Sequence, residues 1–196
     1  EDVDKDSVID APLPSGSHTT GLHWVKTTRG QILMKEPISK ALHEELVKKY
    51  FRPFHHSVES MYQKFRSQGF EQVYQIDAHS MPSKGTKAHR DPGEMRAEVV
   101  ISDQEGKSCE PKFAELVLAA YQKAGFQIKM NWPYVGGRVT QTYGRPEKGQ
   151  HCIQVELNRG LYMDEETKKL NEGRVHEISE KLTIALRYVQ AELDKA

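Results

Sequence analysis

The chain has 196 residues, its 28 Lys and Arg are matched by 28 Asp and Glu, and its formal net charge is zero. That balance removes any electrostatic case for nucleic acid or an anionic membrane surface as partner, and no apolar run is long enough to span a bilayer. Two cysteines, Cys109 and Cys152, are too few for a disulfide scaffold, so a reducing, cytoplasmic compartment is the expectation, with a periplasmic or secreted location as the alternative.

Taken in chain order, residues 1–36 are punctuated by Pro12, Pro14, Gly16 and Gly30, a pattern of loops with a hairpin around Gly30. From Pro37 onward Leu42, Leu46, Val47 and Tyr50 recur at helical spacing. Pro37 or Ser39 opens that helix and Pro53 should end or kink it. A second helix over 54–66 carries Val58, Met61, Tyr62 and Phe65 on one face and stops at Gly69. Residues 73–79 form a strand ending in Asp77 and His79, and 80–95 form a long polar loop. A second strand is predicted over 97–101, a helix over 111–124 between Pro111 and Gly125, and a third strand over 126–130. The glycine-rich stretch 131–149 reads as loop, 151–157 as another strand, and 171–196 as one terminal helix with a stripe of Val175, Ile178, Leu182, Ala185, Leu186 and Val189. Strands alternating with helices predict one α/β domain over 1–196. Its architecture is three-layered, a mostly parallel or mixed sheet with helices on both faces and ligands bound beyond the carboxyl ends of the strands.

Three segments carry chemistry. Asp77-Ala78-His79-Ser80 delivers an imidazole and a carboxylate together at a strand end. This is the pattern of a metal-ligating histidine whose tautomer is fixed by a carboxylate, and equally of a self-satisfied polar pair. Glu156 lies inside the apolar strand Ile153-Gln154-Val155-Glu156-Leu157, where an unpaired carboxylate is costly. It needs a salt bridge to Arg159 or Arg138, a raised pKa, or a metal-activated water to work on. The third segment is Tyr134-Val135-Gly136-Gly137-Arg138 with Tyr143-Gly144-Arg145. Its adjacent glycines permit close approach, and its arginines suit a carboxylate clamp or an ordinary solvated turn.

These motifs in this order (YFRPFHHSV at 50–58, DAHSMPS at 77–83, DQEGKSC at 103–109, NWPYVGGRVTQTYGRP at 131–146 and GQHCIQVELNRGLYMDE at 149–165) resemble the N-formylglutamate amidohydrolase family. That family is related to the zinc carboxypeptidases and the aspartoacylase group. The resemblance implies a zinc-carboxypeptidase-like sheet and one zinc ion. His79 is the implied metal ligand, Asp77 stands behind it, Ser80 lines the pocket, and Glu156 is the catalytic acid–base. Tyr134, Arg138, Tyr143, Arg145, Arg159 and His151 become candidates for contact with substrate. The implied reaction is hydrolysis of a small N-acyl amino acid, most specifically N-formyl-L-glutamate to formate and glutamate, as in histidine breakdown.

The sequence departs from the family at its start. The Pro-His-Ser-Gly-like motif and the acidic residue that supply two further zinc ligands are absent, so those ligands are expected upstream of residue 1. The chain is thus expected to lack the first βαβ portion of the family domain and to associate with its upstream fragment or another subunit. The family's Asp-Val-Asn-Arg is matched by Asp2-Val3-Asp4-Lys5, where lysine loses arginine's bidentate fork. His18, His23, His55, His56 and His89 offer no i, i+4 pair to replace the missing ligands. Two alternatives therefore stand beside the amidohydrolase: a zinc peptidase or amidase acting on peptide or cell-wall fragments, and a non-catalytic relative acting as a binding module.

Overall fold

Valine and isoleucine gather in the segments that pair into a sheet, and the two longest of those strands carry the motifs singled out above. The computed structural model describes residues 22–27 and 29–195. Asp2 to Lys5 and His18 lie outside the described residues. Two compact units form, one from described residues up to Glu71 with Thr86–His89, the other from Gln72–Gly85 with Arg90 onward.

In the first unit, Gly30 at φ +83° turns the chain so that Lys26 and Ile32 bridge antiparallel, the expected hairpin. Helix α1, Lys40–Leu46, is capped by Ser39, whose hydroxyl accepts from the Leu42 amide at 3.2 Å. A π-helical turn, Val47–Phe51, then leads directly into α2, Arg52–Ser67. The regular α-helix is thus interrupted just before Pro53, which sits in the first turn of α2, where its missing N–H costs least, while the chain stays helical throughout.

The second unit contains β1 Val73–Met81, β2 Val99–Ser102, α3 Pro111–Lys123, β3 Ile128–Met130, α4 Arg138–Tyr143, β4 Gln150–Asn158 and α5 Glu172–Leu193. Among the described residues the sheet order is β1-β4-β2-β3. β1 runs parallel to β4 and β2 parallel to β3, while β2 and β4 are antiparallel. The protein is therefore a mixed α/β fold on a four-stranded mixed sheet. Helix α4 lies within the stretch predicted as loop, because six residues opened and closed by glycines show too little periodicity to read.

Strand alternation divides the sheet into two unlike faces. Ile153, Val155, Val99 and Ile101 point to one side, where they pack with Phe113, Val117, Ala120 and Tyr121 of α3 and Ile178, Ala185 and Val189 of α5. Burying Phe113 or Val117 in this layer contributes about 1.5–3 kcal/mol each. Asn171 caps α5 through its side chain, accepting from the Arg174 amide at 3.1 Å. The other side of the sheet carries Asp77 and His79 on β1 and Gln154, Glu156 and Asn158 on β4.

Candidate active site on the polar face of the sheet

Register brings the two chemical strands together. His79 is the Cα partner of Glu156, and Asp77 that of Gln154. In a parallel pair, partnered residues project on the same side about 4.8 Å apart. One imidazole and three carboxylate or amide side chains thus meet on one patch, although they lie more than seventy positions apart in sequence.

His79 Nε2 is 2.9 Å from Asp77 Oδ2, with the histidine side chain 47% exposed and the aspartate 14%. The bond to Asp77, together with the negative charges of Asp77 and Glu156, holds the imidazole's pKa above its usual value against the opposing effect of burial. Glu156 is 8% exposed, and its carboxyl is pushed above the ordinary glutamate range mainly by burial. Asp77 pushes the same way, while His79, Arg96 and Arg159 oppose. Gln154 orients Glu156, its Nε2 donating to Oε1 at 3.0 Å.

A loop is laid over this face by specific bonds. Ser102 Oγ donates to the Tyr134 carbonyl at 2.8 Å, and the Gly137 amide donates to Gln154 Oε1 at 2.6 Å. Gly136, at φ +114°, leaves room for nothing larger. An added Cβ would lie 2.6 Å from Thr140 Oγ1 and 2.7 Å from Gln104 Nε2. Gly137 is the one that faces the site's own glutamine, where an added Cβ would lie 3.1 Å from Gln154 Oε1.

Of the other predicted residues, some lie on the opposite face of the sheet and some on the segments around this patch. Ser80 and His151 have the opposite strand parity from His79 and Glu156. Ser80 is exposed near the end of β1. His151 is buried, stacks on Tyr74 with ring centroids 4.9 Å apart, accepts from the Glu110 amide and bonds Gln72. Arg145 turns back to cap α4, donating to the carbonyls of Gln141 and Gly144. Tyr143 is buried on α4. Arg138 is exposed at the first position of α4, directly after the glycine that bonds Gln154. Arg159 follows β4. Its Nε is 3.7 Å from Glu165 and buried without a hydrogen-bond acceptor among the described residues.

Arg96 is a buried charged residue of this region that the sequence reading did not single out. It sits in the loop between β1 and β2, fully buried, and pairs bidentately with Asp91 at 2.6 and 2.8 Å. Nothing in its local pattern distinguishes it from a solvated loop arginine.

Among the described residues no group of three or more His, Cys, Asp or Glu side chains is arranged to hold a metal. The donor chemistry of His79, with Asp77 behind it, fits one ligand position of a zinc site, whereas a catalytic zinc normally takes three protein ligands. Other described histidines are engaged locally: His23 with His43 at 2.9 Å, His89 with Thr86, and His55 against Phe51 and Phe54.

A family model described as N-formylglutamate amidohydrolase matches residues 2–163. N-formylglutamate deformylases of Pseudomonas putida and Pseudomonas aeruginosa are 31% and 30% identical over 159 and 162 residues, 80% of this chain in each case. The chain spans 58% of the length of each of these relatives. The crystal structure of N-formylglutamate amidohydrolase from Ralstonia eutropha JMP134 superposes with a TM-score of 0.77 at 26% identity, covering 94% of this chain and 68% of that one. A gene product of Agrobacterium tumefaciens matches at TM-score 0.61 and 19% identity over 87% of this chain and 62% of that one, a likeness of fold alone.

Proposed function

The chain belongs to the N-formylglutamate amidohydrolase family, and we propose that it carries the proton-transfer part of a site hydrolysing a small N-acyl amino acid, N-formyl-L-glutamate in the most specific form. The observation that carries this reading is the register of β1 and β4, which sets the buried Glu156 beside the His79–Asp77 pair.

Amide hydrolysis needs a proton taken from the attacking water and returned to the departing amine, while the acyl carbon gains the hydroxyl and loses nitrogen. A carboxyl group with a raised pKa suits both transfers, and burial raises that of Glu156. Gln154 fixes the direction of its Oε1. Arg159, with a guanidinium nitrogen lacking a hydrogen-bond acceptor among the described residues, or the exposed Arg138, would hold the substrate's carboxylate by paired hydrogen bonds. His79 would hold a zinc ion, with the remaining ligands coming from outside the described residues. Zinc, when bound, would polarise the acyl carbonyl and lower the pKa of water. A zinc-carboxypeptidase-like relationship of the fold rests on the Glu-Leu-Asn-Arg strand. Both cysteines are buried and unbridged, which suits a reducing, cytoplasmic compartment. No described helix is long and apolar enough to cross a membrane.

The test is formate release from N-formyl-L-glutamate by the wild type and Glu156→Gln, in zinc-supplemented and chelator-treated samples, with short peptides as competing substrates. Turnover that falls at least about a hundredfold in the variant is expected. Unchanged turnover in Glu156→Gln would remove the central role, and preference for peptides would replace the substrate.

A further inference from the structure

Arg96 lies in the loop that leaves β1, and its guanidinium is the best-held cation near Glu156. Its side chain is 1% exposed, as is that of Asp91. A buried cation is costly unless its donors are satisfied, and here they are. Nε and Nη2 fork onto the two Asp91 carboxylate oxygens, and Nη1 donates to the Pro82 carbonyl at 3.2 Å and to the Tyr134 hydroxyl at 2.9 Å. The guanidinium also lies over the Tyr134 ring, 5.0 Å from its centroid. β4 fixes the backbone at this point, because Asn158 Nδ2 donates to the carbonyls of Arg96 and Ala97, each at 3.2 Å.

An arginine so enclosed cannot reach a substrate. Its partner Tyr134 is only partly buried and belongs to the loop that Ser102 and Gln154 tie over the polar face. The same loop reaches Glu156 through Gln154, which accepts from the Gly137 amide and donates to the Glu156 carboxylate. The planar fork explains why arginine stands here. Lysine would keep the charge but could not grip both Asp91 oxygens while directing a third donor at the tyrosine.

We propose that Arg96, clamped by Asp91, is a positioning residue that holds the Tyr134 hydroxyl over the polar face that bears Glu156, so that Tyr134 orients the amide undergoing hydrolysis. This rests on the proposed amidohydrolase reading, with Glu156 as its acid–base group.

The experiment measures kcat and KM for formate release from N-formyl-L-glutamate in the wild type, Arg96→Lys, Tyr134→Phe and the double variant, with Glu156→Gln as a control. A misplaced positioning group costs on the order of tenfold to a hundredfold in rate. Arg96→Lys and Tyr134→Phe are each expected to lower kcat by at least about tenfold with KM changed less than about threefold. The double variant should be no slower than the slower single one, since both act through one hydroxyl. Circular dichroism and thermal unfolding identify a variant that has failed to fold, and Asp91→Asn then provides the milder release of the clamp, with the same loss of kcat expected. Multiplicative losses in the double variant, or a folded Arg96→Lys or Asp91→Asn with wild-type kcat, would overturn the inference while Glu156→Gln still abolished turnover. Turnover indifferent to Glu156→Gln would instead overturn the reading beneath it.

Discussion

Gln154 is the sharpest place to test whether the polar face is held together as described, because one side chain makes two buried bonds in opposite directions. Its Oε1 accepts from the Gly137 amide at 2.6 Å and its Nε2 donates to Glu156 Oε1 at 3.0 Å, in a residue only 5% exposed. Gln154→Leu keeps the volume nearly constant and removes both. Losing a bond to a charged acceptor costs about 1.5–3 kcal/mol, and stranding a buried amide donor about 1–3 kcal/mol. Leucine's apolar burial offsets about 1–2 kcal/mol of this, leaving about 3 kcal/mol near the middle of the range. For a chain of this length about 1 kcal/mol moves Tm by about 2–4 °C, so a fall of about 6–12 °C is expected. Thermal and urea unfolding at neutral pH measure it. The same substitution made in Glu156→Gln should cost about 1 kcal/mol less, since the acceptor is then neutral. A Gln154→Leu protein within about 0.5 kcal/mol of the wild type would refute the claim that this glutamine couples loop to strand.

Glu156→Gln is expected to gain stability relative to the wild type as pH rises. Burial raises the folded carboxyl's pKa, so the wild type's contribution is complete below the unfolded value of about 4.3 and is lost as pH rises through the folded one. A Tm difference that stays flat from pH 4 to 8 would contradict this. Asp77→Asn should lower the His79 pKa toward or below its ordinary value, read by NMR titration of the imidazole. The pair's contribution, below about 1 kcal/mol at so exposed a histidine, is present below about pH 6.5 and is lost as pH rises through the raised folded pKa. The Tm deficit of the variant should therefore be largest in acid. Gly85→Ala should cost about 1–3 kcal/mol, because a Cβ there would fall 1.8 Å from the Asp91 carbonyl oxygen and 2.8 Å from its Oδ1. An alanine variant of unchanged Tm would show that the loop can shift aside.

Much of the site's character is visible in the sequence, but its assembly is not. Glu156 declares itself because a carboxylate amid Ile153, Val155 and Leu157 has no cheap solution, and Asp77 with His79 because alternate strand positions share a face. That His79 meets Glu156 depends on β1 pairing β4 in a particular register, and no local pattern encodes a pairing between segments so far apart. Parity was available and would have separated the candidates: His151 has the odd parity of Ile153 and Val155, and Ser80 the even parity of Ala78 and Ile76, both opposite to their chemical neighbours. Arg145 could have been referred to the carbonyls of a helix end had α4 been foreseen. Arg96 had no comparable signal. Its place beside Asp91 follows from a turn at Gly93, φ +82°, where the Glu94 amide donates to the Asp91 carbonyl, and a sequence with evenly spread charge gives no reason to single out one arginine.

The two faces of the sheet explain how a buried carboxylate is tolerated at all. On one side Val99, Ile101, Ile153 and Val155 meet α3 and α5 in a mainly apolar layer, and that layer supplies the cohesion. On the other side, polar groups are held by one another: Asp77 by His79, Glu156 by Gln154, Tyr134 and Asp91 by Arg96. Replacing such a network with apolar side chains can leave a fold as stable or more so, so its stability alone does not account for it. On the proposed function chemistry would account for it, because a carboxyl kept from water and held in one direction gains the proton affinity that an exposed glutamate lacks. On that argument Gln154→Leu should damage both stability and turnover, whereas Glu156→Gln should damage turnover alone. That contrast separates a site that keeps a costly buried carboxyl for function from a polar patch that merely packs.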